Sequence, residues 1–464
     1  MKLSSRRHTA IALLLFCSLL VFLKLGSAEI NIHTESSTAL RIIGVLQGNN
    51  DWGDFGQSDN FQRLDVQPPL TAWMGAFFLK LFGINSFFAL RLYPALCACG
   101  VLVLVHLLAR RIVSWEMSLV APALLAGTGI WNEFARQITP EVPLVFFILL
   151  ALFCVLKARD ADGMRKVLQW SVLFGCAFGV ALLTKLTISL LPLIFLLPFK
   201  RFWKERSGIL AYLGAGAVFG FGIALPWYVH EATLHGAVFF KEIFLPSVFS
   251  PASYAPQPLG IFYYINLLLL ANPIVIFAFT YRVLVVLKKV NTKSRHPYLE
   301  YNLLLWSGLG LVLFSVALVK MPQYAVYLIV PAILLSIRGF EELVTHFSNH
   351  RLMWSMLTLL IALTAWSFVP PVRDSFHALF IGSDGPVLPA LIFSAVSFAL
   401  LTAGWLLPSV VVLNVSMRVF FWMNFILPAL LIANVFIENS YGFLKQRPQK
   451  ATIELQSNLF KNPF

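Results

Sequence analysis

Long apolar runs alternate along this chain with short polar gaps rich in lysine and arginine. The runs fall at about 9–26, 87–108, 117–131, 141–156, 168–184, 187–199, 207–226, 259–280, 301–319, 324–337, 353–370, 387–407 and 419–437. Each is continuous rather than alternating in polarity, which fits helices and not the strands of a membrane barrel. A helix needs roughly 20 apolar residues to cross a bilayer. In hydrocarbon only structures that satisfy their own backbone hydrogen bonds survive. The pattern predicts an all-α integral membrane protein with about 13 transmembrane helices.

The polar gaps set the topology. Lys2, Arg6 and Arg7 precede the first run and place the N-terminus inside. Alternate gaps are then cytoplasmic, and they hold "ARRIVSWE", "KARDADGMRK", "KRFWKER", "YRVLVVLKKVNTKSRHP", "RGFEELVTHFSNHR" and "SMR", with most of the 35 Lys and Arg residues. The first run reads as a retained anchor, although its basic start and "GSA" end also suit a cleaved signal. Either way the chain from residue 29 emerges outside. One polytopic domain over 1–437 is expected, with large outside segments at 27–86 and 227–258 and a short outside tail at 438–464. No short-period repeat or low-complexity linker divides it.

The first outside segment has its own pattern. In "TESSTALRIIGVLQG", Leu40, Ile43 and Leu46 recur at helical spacing and predict an amphipathic helix at the interface. "NNDWGDFGQSDNF" reads as turns. Then "QRLDVQPPLTAWMG" sets Arg63, Asp65 and Gln67 beside Pro68 and Pro69, just ahead of a short apolar helix over 69–82 that contains Lys80. Proline cannot donate within a helix but is well placed at its start. The pair is expected to halt the loop and fix its polar residues above the bundle.

Composition narrows the picture. Only 12% of residues are charged, against about 25% in soluble domains. The formal charge of +14 is accounted for by the basic cytoplasmic gaps, so no nucleic-acid partner is expected. Cys17, Cys97, Cys99, Cys154 and Cys176 all lie in apolar runs without metal-ligand spacing. Redox chemistry has no support.

Charge is costly near hydrocarbon unless it is used. By the topology above, a set of charged residues recurs at outer helix ends: Glu35 and Arg41, Asp51 to Asp65, Arg91 in "FFALRLYPAL", Arg136 and Glu141 in "EFARQITPEVP", Lys185 in "LLTKLTISLLP", and Lys320 with Tyr324 in "LVKMPQYAVY". Any one of them also suits a snorkelling or capping role. Together, cations at one face suit an anionic phosphate, and carboxylates there suit a base or a metal ligand. That is the constellation of a transferase.

In order and placement these motifs resemble the protein O-mannosyltransferase and lipid A aminoarabinose transferase superfamily, whose members have the GT-C glycosyltransferase fold. The likeness runs to about residue 340. The family's acidic pair aligns with Thr34-Glu35, its GDW-like turn with Asp51-Trp52, and its KPPL-like stretch with Gln67-Pro68-Pro69-Leu70. Its "RLPSAL" resembles Arg91-Leu92-Tyr93-Pro94-Ala95-Leu96, its Arg-and-Asp pair Arg136 and Glu141, and its "LTKG" Leu183-Thr184-Lys185 followed by Leu186. Its "KxPxY" matches Lys320, Pro322 and Tyr324. The chain departs from the pattern at Thr34, Gln67 and Glu141, which stand where relatives have Asp, Lys and Asp. Some relatives carry a metal-binding His just before the position of Tyr263 and Tyr264. This chain has none there, so no metal or other cofactor is expected.

The resemblance implies a glycosyltransferase moving a sugar from a polyprenyl-phosphate donor to a lipid, glycan or protein acceptor on the extracytoplasmic face. A bacterial inner membrane is the expected location, with the site facing the periplasm. Glu35 is expected as the base, with Asp51, Asp65 and Glu141 as rivals. Arg91, Lys185, Lys320 and Tyr324 are expected to hold the donor phosphate, and Arg41, Gln67 and Arg136 to contact substrate. Trp52, Trp73 and Trp227 either border the sugar or belong to an interfacial belt. A flippase of lipid-linked sugars would need paired broken spans in two related halves, and none is evident. A non-catalytic scaffold is the third reading, motivated by Thr34 and Gln67.

Overall fold

With no water to pair with, backbone in an apolar run pairs with itself, and the runs of this chain form helices accordingly. The computed structural model describes residues 2–27, 30–31, 34–48, 57–58, 63–64, 67–197, 207–244, 262–287, 295–317 and 320–346. Helix α1 spans Lys2–Phe22 and α2 Ser36–Gln47. A two-residue antiparallel pair, β1 (Gln57–Ser58) with β2 (Arg63–Leu64), precedes α3 (Leu70–Phe82). There follow α4 (Phe87–Ile112), α5 (Trp115–Ala126), α6 (Gly129–Phe134), α7 (Glu141–Arg159), α8 (Met164–Leu182), and the short α9 (Leu186–Ser189) and α10 (Leu191–Ile194). The remainder is α11 (Ser207–Phe244), α12 (Tyr263–Ala271), α13 (Pro273–Leu287), α14 (Pro297–Val316), a 3-10 turn (Pro322–Tyr324) and α15 (Ala325–His346). Among the described residues five helical stretches are long and apolar enough to cross a membrane. The all-α integral membrane architecture stands.

Helix polarity gives the bundle two chemically distinct ends. Helix α4 starts on Ser86, whose hydroxyl accepts from the Ala89 amide, and finishes with Arg110 and Arg111 in its last turn. Helix α7 has Glu141 in its first turn and Lys157 and Arg159 in its last. Acid at the N-terminus and base at the C-terminus both complement the helix dipole. At about 1.5 Å per residue, the 26 residues of α4 separate these ends by roughly 39 Å. The basic end is tied together: Arg6 pairs with Glu116 at 3.6 Å, Arg111 with Asp160, and the Arg159 guanidinium sits 3.8 Å from the Tyr298 ring centroid.

A larger ion network braces α13, α14 and α15. Buried Arg282 donates to both Glu342 oxygens, at 2.7 and 2.8 Å, and to Glu300; Arg338 reaches Glu341 at 2.6 Å and Glu342 at 3.2 Å. The Ser114 amide donates to Glu341 at 2.7 Å. Arg282 and Glu342, in gaps expected to be cytoplasmic, are buried with Glu300 as part of the packing.

Helices α8 and α11 pack through glycines. A Cβ on Gly216 would lie 2.3 Å from the Ser171 carbonyl oxygen, and one on Gly175 would lie 2.3 Å from that of Gly216. Small residues let helix backbones approach this closely in membranes, where packing replaces the hydrophobic drive.

The expected helix boundaries need four corrections. The described part of the run 187–199 contains two four-residue helices, α9 and α10, with Pro192 in the first turn of α10. The run 259–280 breaks at Asn272, ahead of Pro273. The run 207–226 continues to Phe244, kinked at Gly236 where φ is 55°, so the first part of the expected loop 227–258 is helical. The run 117–131 is split between α5 and α6. The expected spans 353–370, 387–407 and 419–437, and the tail 438–464, lie outside the described residues.

The amphipathic helix predicted near residue 40 is present as α2, closed by Gly48 in the left-handed region (φ 68°). Its buried face is Thr38, Ala39, Arg41 and Ile42, while Leu40 is exposed. The apolar stripe is thus rotated from the expected one. Residue 75 being glycine matters here, because a Cβ would fall 2.4 Å from Ile42 Cδ1. Helices α2 and α3, the start of α4 and Ile138 form a satellite core of their own.

Candidate active site

The double proline positions the site's floor. Pro68 and Pro69 have no N–H, so Leu70 provides the first backbone donor after them, and it bonds the Leu183 carbonyl at 3.1 Å. Arg41 secures the same turn, donating from Nη2 to the Gln67 and Pro68 carbonyls and from Nη1 to Gln67 Oε1 at 3.4 Å. Arg41 and Gln67, expected to touch substrate, therefore hold each other and pin the turn. Leu183 caps α8, and two residues later comes Lys185.

Lys185 donates to Glu141 Oε1 at 3.0 Å, and its ammonium lies 4.6 Å from the centroid of the Tyr324 ring. Burial acts to lower the Lys185 pKa, but the Glu141 carboxylate and the Tyr324 phenol outweigh it and hold it raised. Lys185 is a fixed cation. The other Glu141 oxygen, Oε2, has no hydrogen-bond partner among the described residues. Tyr324 stacks on Phe314 at 5.3 Å and neighbours Tyr327.

Lys320 sits at the other end of the same turn, its Nζ donating to the Ala317 carbonyl at 2.9 Å. Tyr264, on α12, clamps the residue between them. Its hydroxyl accepts from the Met321 amide and faces the Met321 carbonyl, both at 3.1 Å. Tyr263 meets Tyr264 edge-to-face at 4.9 Å and is electrostatically coupled to Glu133 on α6. Gln137 hydrogen-bonds Glu133, and its Oε1 accepts from the Thr34 hydroxyl at 2.7 Å. Gln137 then leads along the chain to Glu141. Glu141, Lys185, Tyr324, Met321, Tyr264, Tyr263, Glu133 and Gln137 thus form a ring at the acid-bearing end of the bundle, closed by the chain between Gln137 and Glu141, with Thr34 joined to it through Gln137.

Glu35 and Arg91 make a separate unit. Arg91 Nε and Nη2 donate to Glu35 Oε1 and Oε2 at 2.9 and 2.7 Å. The Ile138 and Asn31 amides take the remaining positions, at 2.8 and 2.9 Å, and Arg91 Nη1 donates to the Leu25 carbonyl at 3.2 Å. Glu35 is 0% exposed and Arg91 2%. A carboxylate accepting four hydrogen bonds has no lone pair left for an acceptor's proton or for a metal. In the structure Glu35 and Arg91, expected as base and phosphate ligand, hold each other and tie the first outside segment to α4. Arg136 is also committed, donating to the Leu23 carbonyl at the end of α1.

Asp51, Asp65 and Trp52 lie outside the described residues. Trp227 is buried, packing with Phe239 and partly buried Trp73. Glu133 was not singled out in the sequence. The signal was present in "EFARQITPEVP", where Glu133 stands close to Arg136 and Glu141. Among the described residues no three His, Cys, Asp or Glu side chains converge as a metal site.

Residues 66–230 match the family model for dolichyl-phosphate-mannose-protein mannosyltransferase. Over 97% of its length the chain superposes on 77% of ArnT from Cupriavidus metallidurans bound to undecaprenyl phosphate, with a TM-score of 0.67 at 16% identity. The chain shares the fold of ArnT. The arabinosyltransferase EmbB from Mycobacterium smegmatis also superposes, with a TM-score of 0.57 at 12% identity, over 97% of this chain and 42% of that one. At such identities the likeness is one of fold. In sequence, the chain is 28% identical over 249 residues to the undecaprenyl phosphate-alpha-4-amino-4-deoxy-L-arabinose arabinosyl transferase of Pseudomonas aeruginosa strain PAO1, covering 51% of this chain and 44% of the relative. It is 28% identical over 262 residues to an uncharacterized protein of Aquifex aeolicus, covering 56% and 50%. The chain spans about half the length of the curated relatives it matches.

Proposed function

We propose that this protein is a membrane glycosyltransferase. It moves a sugar from a polyprenyl-phosphate carrier to a hydroxyl or phosphate group of a lipid, glycan or protein acceptor on the extracytoplasmic face of a bacterial inner membrane. The observation that carries this is Lys185, a cation fixed between the Glu141 carboxylate and the Tyr324 ring at the acid-bearing end of the bundle. The fold and sequence likeness to enzymes whose names include undecaprenyl phosphate supports the same donor class.

In this mechanism Lys185 and Lys320, at the two sides of the Pro322–Tyr324 turn, hold the donor phosphate and stabilise the charge that grows on it as the sugar leaves. The Tyr324 hydroxyl adds a hydrogen bond. Glu141 keeps Lys185 in place and charged. The Glu35–Arg91 pair and the Arg41–Gln67 contact hold the outer segment over the ring, as positioning residues.

The test is incubation of purified protein with labelled undecaprenyl-phosphate sugar and a mixture of envelope acceptors. The expected result is release of lipid phosphate with label on the acceptor, lost in Lys185→Met. Vectorial movement of intact donor across vesicles would instead identify a flippase. Donor left neither cleaved nor moved would identify a scaffold.

A further inference from the structure

Of the three described carboxylates in and beside this ring, two are sealed. Glu35 and Glu141 are 0% and 2% exposed and each is matched to a cation. Glu133 differs on both counts. It is partly exposed and makes no ion pair with any described residue. Its neighbours are neutral: the Gln137 side chain, which hydrogen-bonds it, and the Tyr263 phenol. Gln137 has a fixed orientation, because its Oε1 takes the Thr34 hydroxyl proton and leaves its NH₂ to donate to Glu133. Thr34 is itself partly exposed. A partly exposed carboxylate held by a neutral amide, with no counter-cation among the described residues, is arranged to accept a proton.

We propose that Glu133 is the base of the transfer reaction, taking the proton of the acceptor hydroxyl at the part of the ring that carries Gln137 and Tyr263, beside Thr34. This rests on the sugar transfer proposed above. The acceptor O–H proton passes to the Glu133 carboxylate while the oxygen's electron pair forms the bond to the anomeric carbon. The carbon–oxygen bond to the lipid phosphate breaks at the same time, its electron pair leaving with the phosphate, which gains one negative charge beside Lys185. The displacement inverts the anomeric centre.

The electrostatics suit the role. Burial raises the Glu133 carboxyl to about 7, with the Gln137 hydrogen bond pulling the other way, and a base works best with a pKa near ambient pH. The elements packed on α6 are α5, the 3-10 turn and α15. The nearer titratable groups they bring are Tyr324 and Tyr327, to which α12 adds Tyr263. Glu116 on α5 and Arg338, Glu341 and Glu342 on α15 lie at the far end of their helices. On its own segment Arg136 is held by Leu23, and Lys185 is matched to Glu141.

Glu133→Gln and Glu133→Asp in the full-length purified protein provide the test. Wild-type kcat/KM is expected to rise with pH through about 7. In Glu133→Gln, kcat is expected to fall about 10²- to 10⁴-fold and that limb to vanish, with binding of undecaprenyl-phosphate sugar changed less than about twofold. Glu133→Asp is expected to restore part of the rate. Isotope-edited infrared titration of substrate-free protein is expected to show one carboxyl titrating near 7 that is absent in Glu133→Gln. An active wild type with an unaffected Glu133→Gln variant, or a Glu133 carboxyl titrating at the ordinary value of about 4.3, overturns the assignment of Glu133 alone. Wild-type protein that binds the donor but never cleaves it overturns the transfer reaction, and a base of any kind with it.

Discussion

Arg91 grips Glu35 through both arms of its guanidinium, at 2.9 and 2.7 Å, although 56 residues separate them and neither is more than 2% exposed. Removing one partner of such a pair leaves a charge buried without compensation, which costs about 3–5 kcal/mol. Arg91→Leu is therefore expected to lower the unfolding midpoint in detergent steeply. Arg91→Lys should recover little, since an ammonium cannot reproduce the bidentate fork. Equal midpoints for Arg91→Leu and wild type would refute the structural role.

Lys185 gives a prediction about pH. Its raised folded pKa means that the Glu141 pairing contributes stability fully present below the unfolded value of about 10.4. That contribution is lost only as pH rises through the folded value. Neither stability nor donor binding should show a lysine-dependent transition between pH 6 and 9. Lys185→Met is expected to weaken donor binding and to lower kcat/KM by about 10²- to 10³-fold. Steady-state kinetics across that range checks both statements.

The glycine contact between α8 and α11 is open to a matched pair of variants. Gly216→Ala puts a methyl 2.3 Å from the Ser171 carbonyl oxygen, and overpacking of this kind typically costs about 1–3 kcal/mol. Gly214→Ala, on the same helix, meets nothing within 4 Å and should be neutral or mildly stabilising. Thermal unfolding of the two should differ accordingly.

Tyr264→Phe removes the hydroxyl that bonds Met321. The expected loss is about 1 kcal/mol. The sharper expectation is kinetic: loosening the segment between Lys320 and Tyr324 should raise KM for the donor more than it lowers kcat. A KM equal to wild type would show that the clamp has no part in holding the donor.

Much of this architecture was legible in the sequence, because continuous apolar runs admit few alternatives in lipid. Arg110, Arg111, Lys157 and Arg159 marked one end, and Arg91, Glu141 and Lys185 the other. Partnership was not legible. Nothing in residue order says that Glu35 will be taken by Arg91, or that Arg282 will draw Glu300 and Glu342 into the packing, because pairing depends on how helices distant in sequence come to adjoin. Helix ends also misled. Hydropathy does not register Asn272 before Pro273 as a break, nor the continuation of α11 beyond Pro226, because in-helix proline is tolerated where neighbouring helices support it. Nor does residue order say that Glu133 will be left without a cation while Glu141 takes Lys185.

The Leu70 to Leu183 bond is made by main-chain atoms, so it is indifferent to which side chains flank it. What it demands is a count. One residue inserted or deleted between Gln67 and Leu70 would shift the donor and carry the outer turn out of step with Lys185. Polar substitutions along that stretch should be comparatively mild beside the smallest change in its length.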